Sequence, residues 1–117
     1  MKISIITACY NSARTIRDTI DCVIAQSYPD IEYIIIDGHS TDETLAIIQS
    51  YGDQVNHLVS EPDAGIYDAM NKGLQVATGD VIGILNSDDF YADNGVVERV
   101  MAIFEDPTID SVFADLQ

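Results

Sequence analysis

Four short apolar runs, ISIITA (residues 3–8), IEYIIID (31–37), VNHLVS (55–60) and VIGILN (81–86), are rich in β-branched residues and of strand length. Runs of this kind predict strands buried on both faces. Between them apolar residues recur at helical spacing: Ile16, Ile20, Val23 and Ile24, then Leu45, Ile47 and Ile48, then Ile66, Met70, Leu74 and Ala77. A fourth helix is predicted from Asn94 to Glu105, with Val96, Val97, Val100, Met101 and Phe104 on one side, and SVFA (111–114) then reads as a fifth strand. Ser40 and Glu43 have the spacing of a capping box, and Gly52, Gly79 and Pro107 come after apparent helix ends. Strand–helix alternation demands right-handed crossovers, so the predicted fold class is α/β: an open, mostly parallel sheet with helices on both faces.

The chain has 117 residues, 47% of them hydrophobic, enough for one domain with its own core and too apolar for disorder. No linker, repeat or low-complexity tract divides it. The formal charge of −15, from 20 acidic residues against 5 Lys and Arg, opposes binding to a nucleic-acid backbone. The amino terminus is too short and too interrupted by Ser4 and Thr7 for an export signal and reads as a strand. Cys9 and Cys22 have no metal-ligand spacing and give no disulfide framework, so reduced thiols and a cytoplasmic location are expected.

In an open parallel sheet, ligands bind beyond the carboxyl ends of the strands. At the end of the first predicted strand stand Thr7 to Asn11, at the second Asp37 to Asp42, at the third Glu61 to Gly65, and at the fourth Asn86 to Asp89. These loops gather carboxylates, hydroxyls and a tyrosine ring at one edge, and a cleft so acidic calls for a cation. Asp88 and Asp89 are adjacent carboxylates whose repulsion a hard divalent ion would relieve, with coordination sites left for phosphate oxygens. Capping of the next helix is the alternative reading of the pair. Asp37 before Gly38 fits either an Asx turn or a hydrogen-bond acceptor for a base or ribose. Asp68 and Lys72, four apart, read as a surface ion pair, whereas Asn71 on the same helix has no such structural reading. His39 lies in a loop and His57 within a strand, without metal-ligand spacing.

The succession SIITACYN, YIIIDGHSTDET, SEPDAGIYDAMNKGL and TGDVIGILNSDDFY resembles, in order and spacing over nearly the whole chain, the nucleotide-sugar-binding half of glycosyltransferase family 2. Those are inverting transferases with a GT-A, Rossmann-like fold, and the likeness is to members that build bacterial capsule, exopolysaccharide or lipopolysaccharide. The resemblance implies that Thr7 and Tyr10 line the nucleobase pocket, that Asp37 hydrogen-bonds the base, commonly uracil, and that Asn71 lies near the donor sugar and diphosphate. It implies that Asn86, Ser87 and Asp88 stand for the family's Asp-x-Asp, with Asp88 binding Mn²⁺ or Mg²⁺. Asn86 in place of the first Asp contributes no charge, and Met70 stands where many relatives carry an Arg to the diphosphate. The implied donor is a nucleoside-diphosphate sugar, a uridine-diphosphate sugar first among them, and the acceptor is unassigned.

The family's general base comes after the region matched, so no catalytic residue is expected within these 117. The chain reads as a single donor-binding domain, a fragment without the acceptor-binding half, retaining donor binding with little transfer. Exposed apolar surface on such a piece favours self-association. The longer protein would be cytoplasmic or peripheral at the inner membrane face. A receiver-type signalling domain would need an acidic pair after the first strand and a Lys after the fifth, where Tyr10, Asn11 and Asp115 stand. A nucleotidyltransferase would need a Gly-rich basic loop within Thr7 to Arg14. A non-catalytic nucleotide-binding or interaction domain is the alternative that the sequence leaves open.

Overall fold

The computed structural model describes residues 1–105, the side chain of Ile66 excepted. Pro107 and the strand predicted at 111–114 lie outside the described residues. The order is β1 (Ile3–Cys9), α1 (Ile16–Ile24), β2 (Ile31–Asp37), α2 (Thr44–Gln49), a 3-10 turn (Gly52–Gln54), β3 (His57–Ser60), α3 (Ile66–Val76), β4 (Val81–Ile84) and α4 (Val96–Phe104). The four strands form one parallel sheet in the order β3-β2-β1-β4. Register runs from Ile3 opposite Ile31 to Cys9 opposite Asp37, so β1 and β2 end together at the carboxyl edge.

Alternation along β1 and β2 divides the core in two. Ile3, Ile5, Cys9, Tyr33 and Ile35 face the layer that contains Ile16, Ile20 and Val23 of α1, Ile48 of α2 and Val97 and Met101 of α4. Ile6, Ile34 and Ile36 face α3, where Ala69 packs on them. Helices therefore cover both faces, as the periodicity predicts. Each fully buried isoleucine contributes roughly 1.5–3 kcal/mol relative to exposure.

Two expectations are corrected. β3 and β4 are not buried on both faces, because they flank the central pair: Ile82 and Ile84 stay 40% and 38% exposed on the α3 side. The capping box does not form either. Helix α2 starts at Thr44, and Ser40 instead gives its N–H and hydroxyl to Asp37, at 3.0 and 2.5 Å. Asp42 takes the end of the helix, its Oδ1 accepting from the Thr44 N–H at 2.9 Å.

At the amino edge, Glu32 is a buried carboxylate with a full set of donors. Ser4 Oγ donates at 2.7 Å, and the Thr78 N–H and hydroxyl each donate at 2.9 Å. Lys2 Nζ lies 3.8 Å away and His57 Nε2 3.4 Å away. Burial raises the pKa of this group, but the bonds from Thr78 and Ser4 outweigh it and bring the pKa down from 4.5 to about 2. The folded state thus holds its proton less tightly than the unfolded chain. Its contribution to stability is present above pH 4.5 and is lost as the pH falls towards 2. Denaturant titrations should show Glu32→Gln less stable than the parent at neutral pH, with the difference shrinking across that interval. An unchanged difference at both ends would contradict this linkage.

Candidate active site

The loops after all four strands meet at the carboxyl edge, and side-chain bonds lock the first, second and fourth together. Asn11, in the left-handed region at φ 48°, accepts the Thr41 N–H on Oδ1 at 2.8 Å and donates its own N–H to Ser40 Oγ at 2.9 Å. Ser12 gives its N–H to Thr44 Oγ1 at 2.8 Å and pairs hydroxyl to hydroxyl with Ser87 at 2.9 Å. The first loop is thereby tied to both the second and the fourth.

Between them opens a cleft of about 510 Å³, within the range of small-molecule sites. Its walls are Ala8, Cys9, Tyr10 and Ser12 after β1, Gly38 after β2, Pro62, Asp63 and Gly65 after β3, Ala69 of α3, and Ser87 after β4. Tyr10 is 59% exposed and presents its ring at the opening.

Of the residues expected in this cleft, Tyr10 alone is among its walls, and two of the others are buried. Thr7 is fully buried and shares a hydrogen bond of 2.9 Å with Tyr33 OH; it lies two residues short of the end of β1, where Cys9 on the same side meets the cleft. Asp37 is likewise 0% exposed. Its Oδ1 accepts from Ser40 Oγ and, at 3.5 Å, from Cys9 Sγ; its Oδ2 accepts from the Ser40 N–H and, at 2.8 Å, from Ser60 Oγ. Burial would raise the Asp37 pKa, and the bonds from Ser40 and Ser60 more than reverse it, so the carboxyl stays below its ordinary range. The turn reading is the one realised: Asp37 shapes the loop and offers no free oxygen to a base. The neighbouring Cys9 thiol is pushed up, first by burial and then by Asp37, which makes it a packing group and no nucleophile.

Asn71, Asn86 and Asp88 are all exposed. Asn71 stands on α3 outside the cleft wall, and the Asn86 carbonyl accepts the Asp89 N–H at 3.0 Å. The loop bearing Asp88 is held from beneath by α1. Thr19, 1% exposed, sets its hydroxyl 2.9 Å from the Ser87 carbonyl oxygen and 2.7 Å from that of Asp89. The Asp88 carboxylate is engaged by no hydrogen bond among the described residues. Thr19→Val should cost roughly 1–2 kcal/mol in equilibrium unfolding by leaving these carbonyls unpaired, and Thr19→Ser should recover most of it. Equal loss in both variants would contradict that role.

Among the described residues, no three His, Cys, Asp or Glu side chains converge as a metal site. A lone carboxylate such as that of Asp88 holds a hard cation when phosphate oxygens and water complete its shell. The donor set therefore fits a cation that arrives with a diphosphate. On the neighbouring helix, Lys72 is committed elsewhere, to Glu61 at 3.1 Å, Asp68 at 3.6 Å and the Pro62 carbonyl at 2.9 Å. Sequence reasoning gathered Gly38 and Asp63 with the strand-end loops without naming either as a site residue, and Ser12 fell outside the stretch gathered after β1. Position within about three residues of a strand end was the signal that could have found them.

A parallel α/β sheet with a cleft at its carboxyl edge defines the class, and comparison with known proteins gives the family. Residues 4–116 match the model of glycosyl transferase family 2, and the chain belongs to that family. It is 37% identical over 98 residues to an uncharacterized glycosyltransferase of Rickettsia prowazekii, covering 84% of this chain and 30% of that protein. Mannosyltransferase PcManGT from Pyrobaculum calidifontis, solved with GDP-Man and Mn²⁺, superposes with a TM-score of 0.85 at 26% identity, over 92% of this chain and 33% of that one. S. aureus TarS 1–349, solved with UDP-GlcNAc, gives a TM-score of 0.83 at 26% identity, over 90% and 31%. The chain thus spans about a third of the length of the first curated relatives it matches. No helix among the described residues is long and apolar enough to cross a membrane.

Proposed function

We propose that this chain is the donor-binding part of an inverting glycosyltransferase, taking a nucleoside-diphosphate sugar for the synthesis of bacterial surface polysaccharide. The observation that carries the reading is the cleft at the carboxyl edge, whose wall after β4 is Ser87, next in sequence to the exposed Asp88. The ligands of the two solved neighbours, GDP-Man with Mn²⁺ and UDP-GlcNAc, support a donor of this chemistry.

Tyr10 packs its ring on the nucleobase, and Ser12 and Ser87 fix the floor against which the ribose and diphosphate lie. Asp88 would hold a divalent cation, Mn²⁺ or Mg²⁺, whose chemistry there is to neutralise charge on the departing diphosphate. Asn86 reaches the ribose or a cation-bound water through its amide, and Asn71 stands by the donor sugar. Thr7 and Asp37 act beneath the site, as core and loop supports. With a chain charge of −15, phosphates are repelled unless a cation accompanies them. A base for the acceptor hydroxyl must be a carboxylate within hydrogen-bond reach of it. It is to be sought in the length of the relatives that this chain does not span.

Calorimetric titration with UDP tests this reading. Binding should be strong with Mn²⁺ and weak without it, and Mn²⁺ alone should bind poorly because one carboxylate is an incomplete shell. UDP affinity indifferent to Mn²⁺, or Mn²⁺ bound tightly without nucleotide, would count against the assignment.

A further inference from the structure

We infer that Asp63, after β3, is the carboxylate that selects the nucleobase, and that Gly38 is what gives it room; this rests on the donor-site reading above. Asp37, the carboxylate of the second-strand loop, has both oxygens bonded inside the protein. The cleft nevertheless has a carboxylate in its wall beside that loop. A Cβ built on Gly38 would lie 3.0 Å from Asp63 Oδ2 and 3.4 Å from its Cγ. Asp63 thus fills the space that a side chain at position 38 would otherwise enter. Its Oδ1 accepts the Gly65 N–H at 3.1 Å, which fixes the carboxylate, and Oδ2 takes no hydrogen bond among the described residues. Asp63 and Gly38 both line the cleft.

Strand order decides which part of the ligand Asp63 meets. In β3-β2-β1-β4, the loop after β3 and the loop after β4 stand at opposite ends of the carboxyl edge. A diphosphate anchored at Asp88 after β4 sends its nucleoside across β1, past Tyr10, towards β2 and β3. The base then arrives at Gly38 and Asp63. An ionised carboxylate only accepts hydrogen bonds, so it favours a base that presents a ring N–H, as uracil does at N3. Cytosine presents an acceptor nitrogen at the same ring position and is disfavoured.

The test is calorimetric titration of UDP and CDP, each with Mn²⁺, against the parent chain and three variants. Asp63→Asn keeps an oxygen for the Gly65 N–H, so the loop is preserved while a donor replaces an acceptor. UDP should weaken about tenfold or more with little change for CDP, as expected for losing a charge-assisted hydrogen bond. Gly38→Ala should weaken UDP in the same direction, since its Cβ pushes Asp63 aside without any unusual φ at that position. Gly38→Asp combined with Asp63→Ala should restore part of the preference for UDP, by supplying the carboxylate from the other loop. An unchanged UDP-to-CDP ratio in Asp63→Asn, while the parent binds UDP, overturns this inference alone. Failure of the parent to bind UDP at all overturns the donor-site reading and this inference with it.

Discussion

Replacing Asp88 by Ala is expected to abolish the Mn²⁺-dependent share of UDP binding while leaving the melting temperature where it was. The carboxylate is exposed, and the loop beneath it is held by backbone groups: the Thr19 hydroxyl contacts the Ser87 and Asp89 carbonyls, and the Asn86 carbonyl accepts the Asp89 N–H. Truncation at Asp88 touches none of these. Ligand-supporting residues around metals commonly cost 10–100-fold when removed, so loss of the carboxylate proposed to hold the cation should reach about a hundredfold or more. Asp89→Ala should cost less, because Asp89 is half-buried and holds the loop through its backbone N–H and carbonyl, which the substitution keeps. Calorimetry on both variants with and without Mn²⁺ measures the contrast. Retained Mn²⁺-dependent affinity in Asp88→Ala would remove that residue from the metal role.

The largest effect on stability is expected at Gly79, at the other edge of the sheet. A Cβ there would stand 2.6 Å from Ser4 Oγ, 2.7 Å from the Ser4 backbone nitrogen and 3.0 Å from the Ile3 carbonyl carbon. Two of these atoms belong to the backbone of the central strand β1, which cannot move aside alone. Gly79 also donates its N–H to Ser4 Oγ at 2.8 Å, and Ser4 in turn donates to Glu32. Gly79→Ala therefore combines overpacking with damage to a buried polar network, costing about 3 kcal/mol or more. Against a domain stability of roughly 5–15 kcal/mol, this lowers Tm by on the order of 10 °C. Gly52→Ala is the informative comparison. Nothing lies within 4 Å of its Cβ position, but its φ is +58°, so the cost is backbone strain alone, about 1 kcal/mol. Thermal melts that rank Gly52→Ala as the more damaging change would contradict this account of packing at the amino end of β1.

The fold was legible because its signals are local and repeated. Unbroken runs such as IEYIIID mark β2, and Ile16, Ile20 and Val23 recur at the period that buries one side of α1. The four loops of the cleft could be assembled from strand order alone. Individual side chains were harder to place, since depth along a strand and local hydrogen bonds decide between cleft and core. Thr7 sits one step deeper than Cys9 on the same side of β1 and bonds to Tyr33, and Asp37 collapses onto Ser40 and Ser60. Ser40 illustrates the same limit: spacing marked it as a helix cap, but an ionised acceptor three residues back competes better for its hydroxyl. The proximity of Gly38 and Asp63 was invisible for another reason. It arises between two loops 25 positions apart in sequence and depends on the absence of a side chain.

The most direct test of the donor site is a ¹H–¹⁵N NMR titration of the chain with UDP, then with Mn²⁺ added as a paramagnetic probe. UDP should shift the amides of Tyr10, Gly38, Gly65 and Ser87, which belong to four separate loops and share only the cleft. Mn²⁺ should then broaden signals outward from Asp88, leaving Glu32, Thr78 and the rest of the amino edge sharp. Shifts or broadening centred on that amino edge, or no change at any of the four amides, would contradict the placement of a nucleotide and its cation at the carboxyl edge of the sheet.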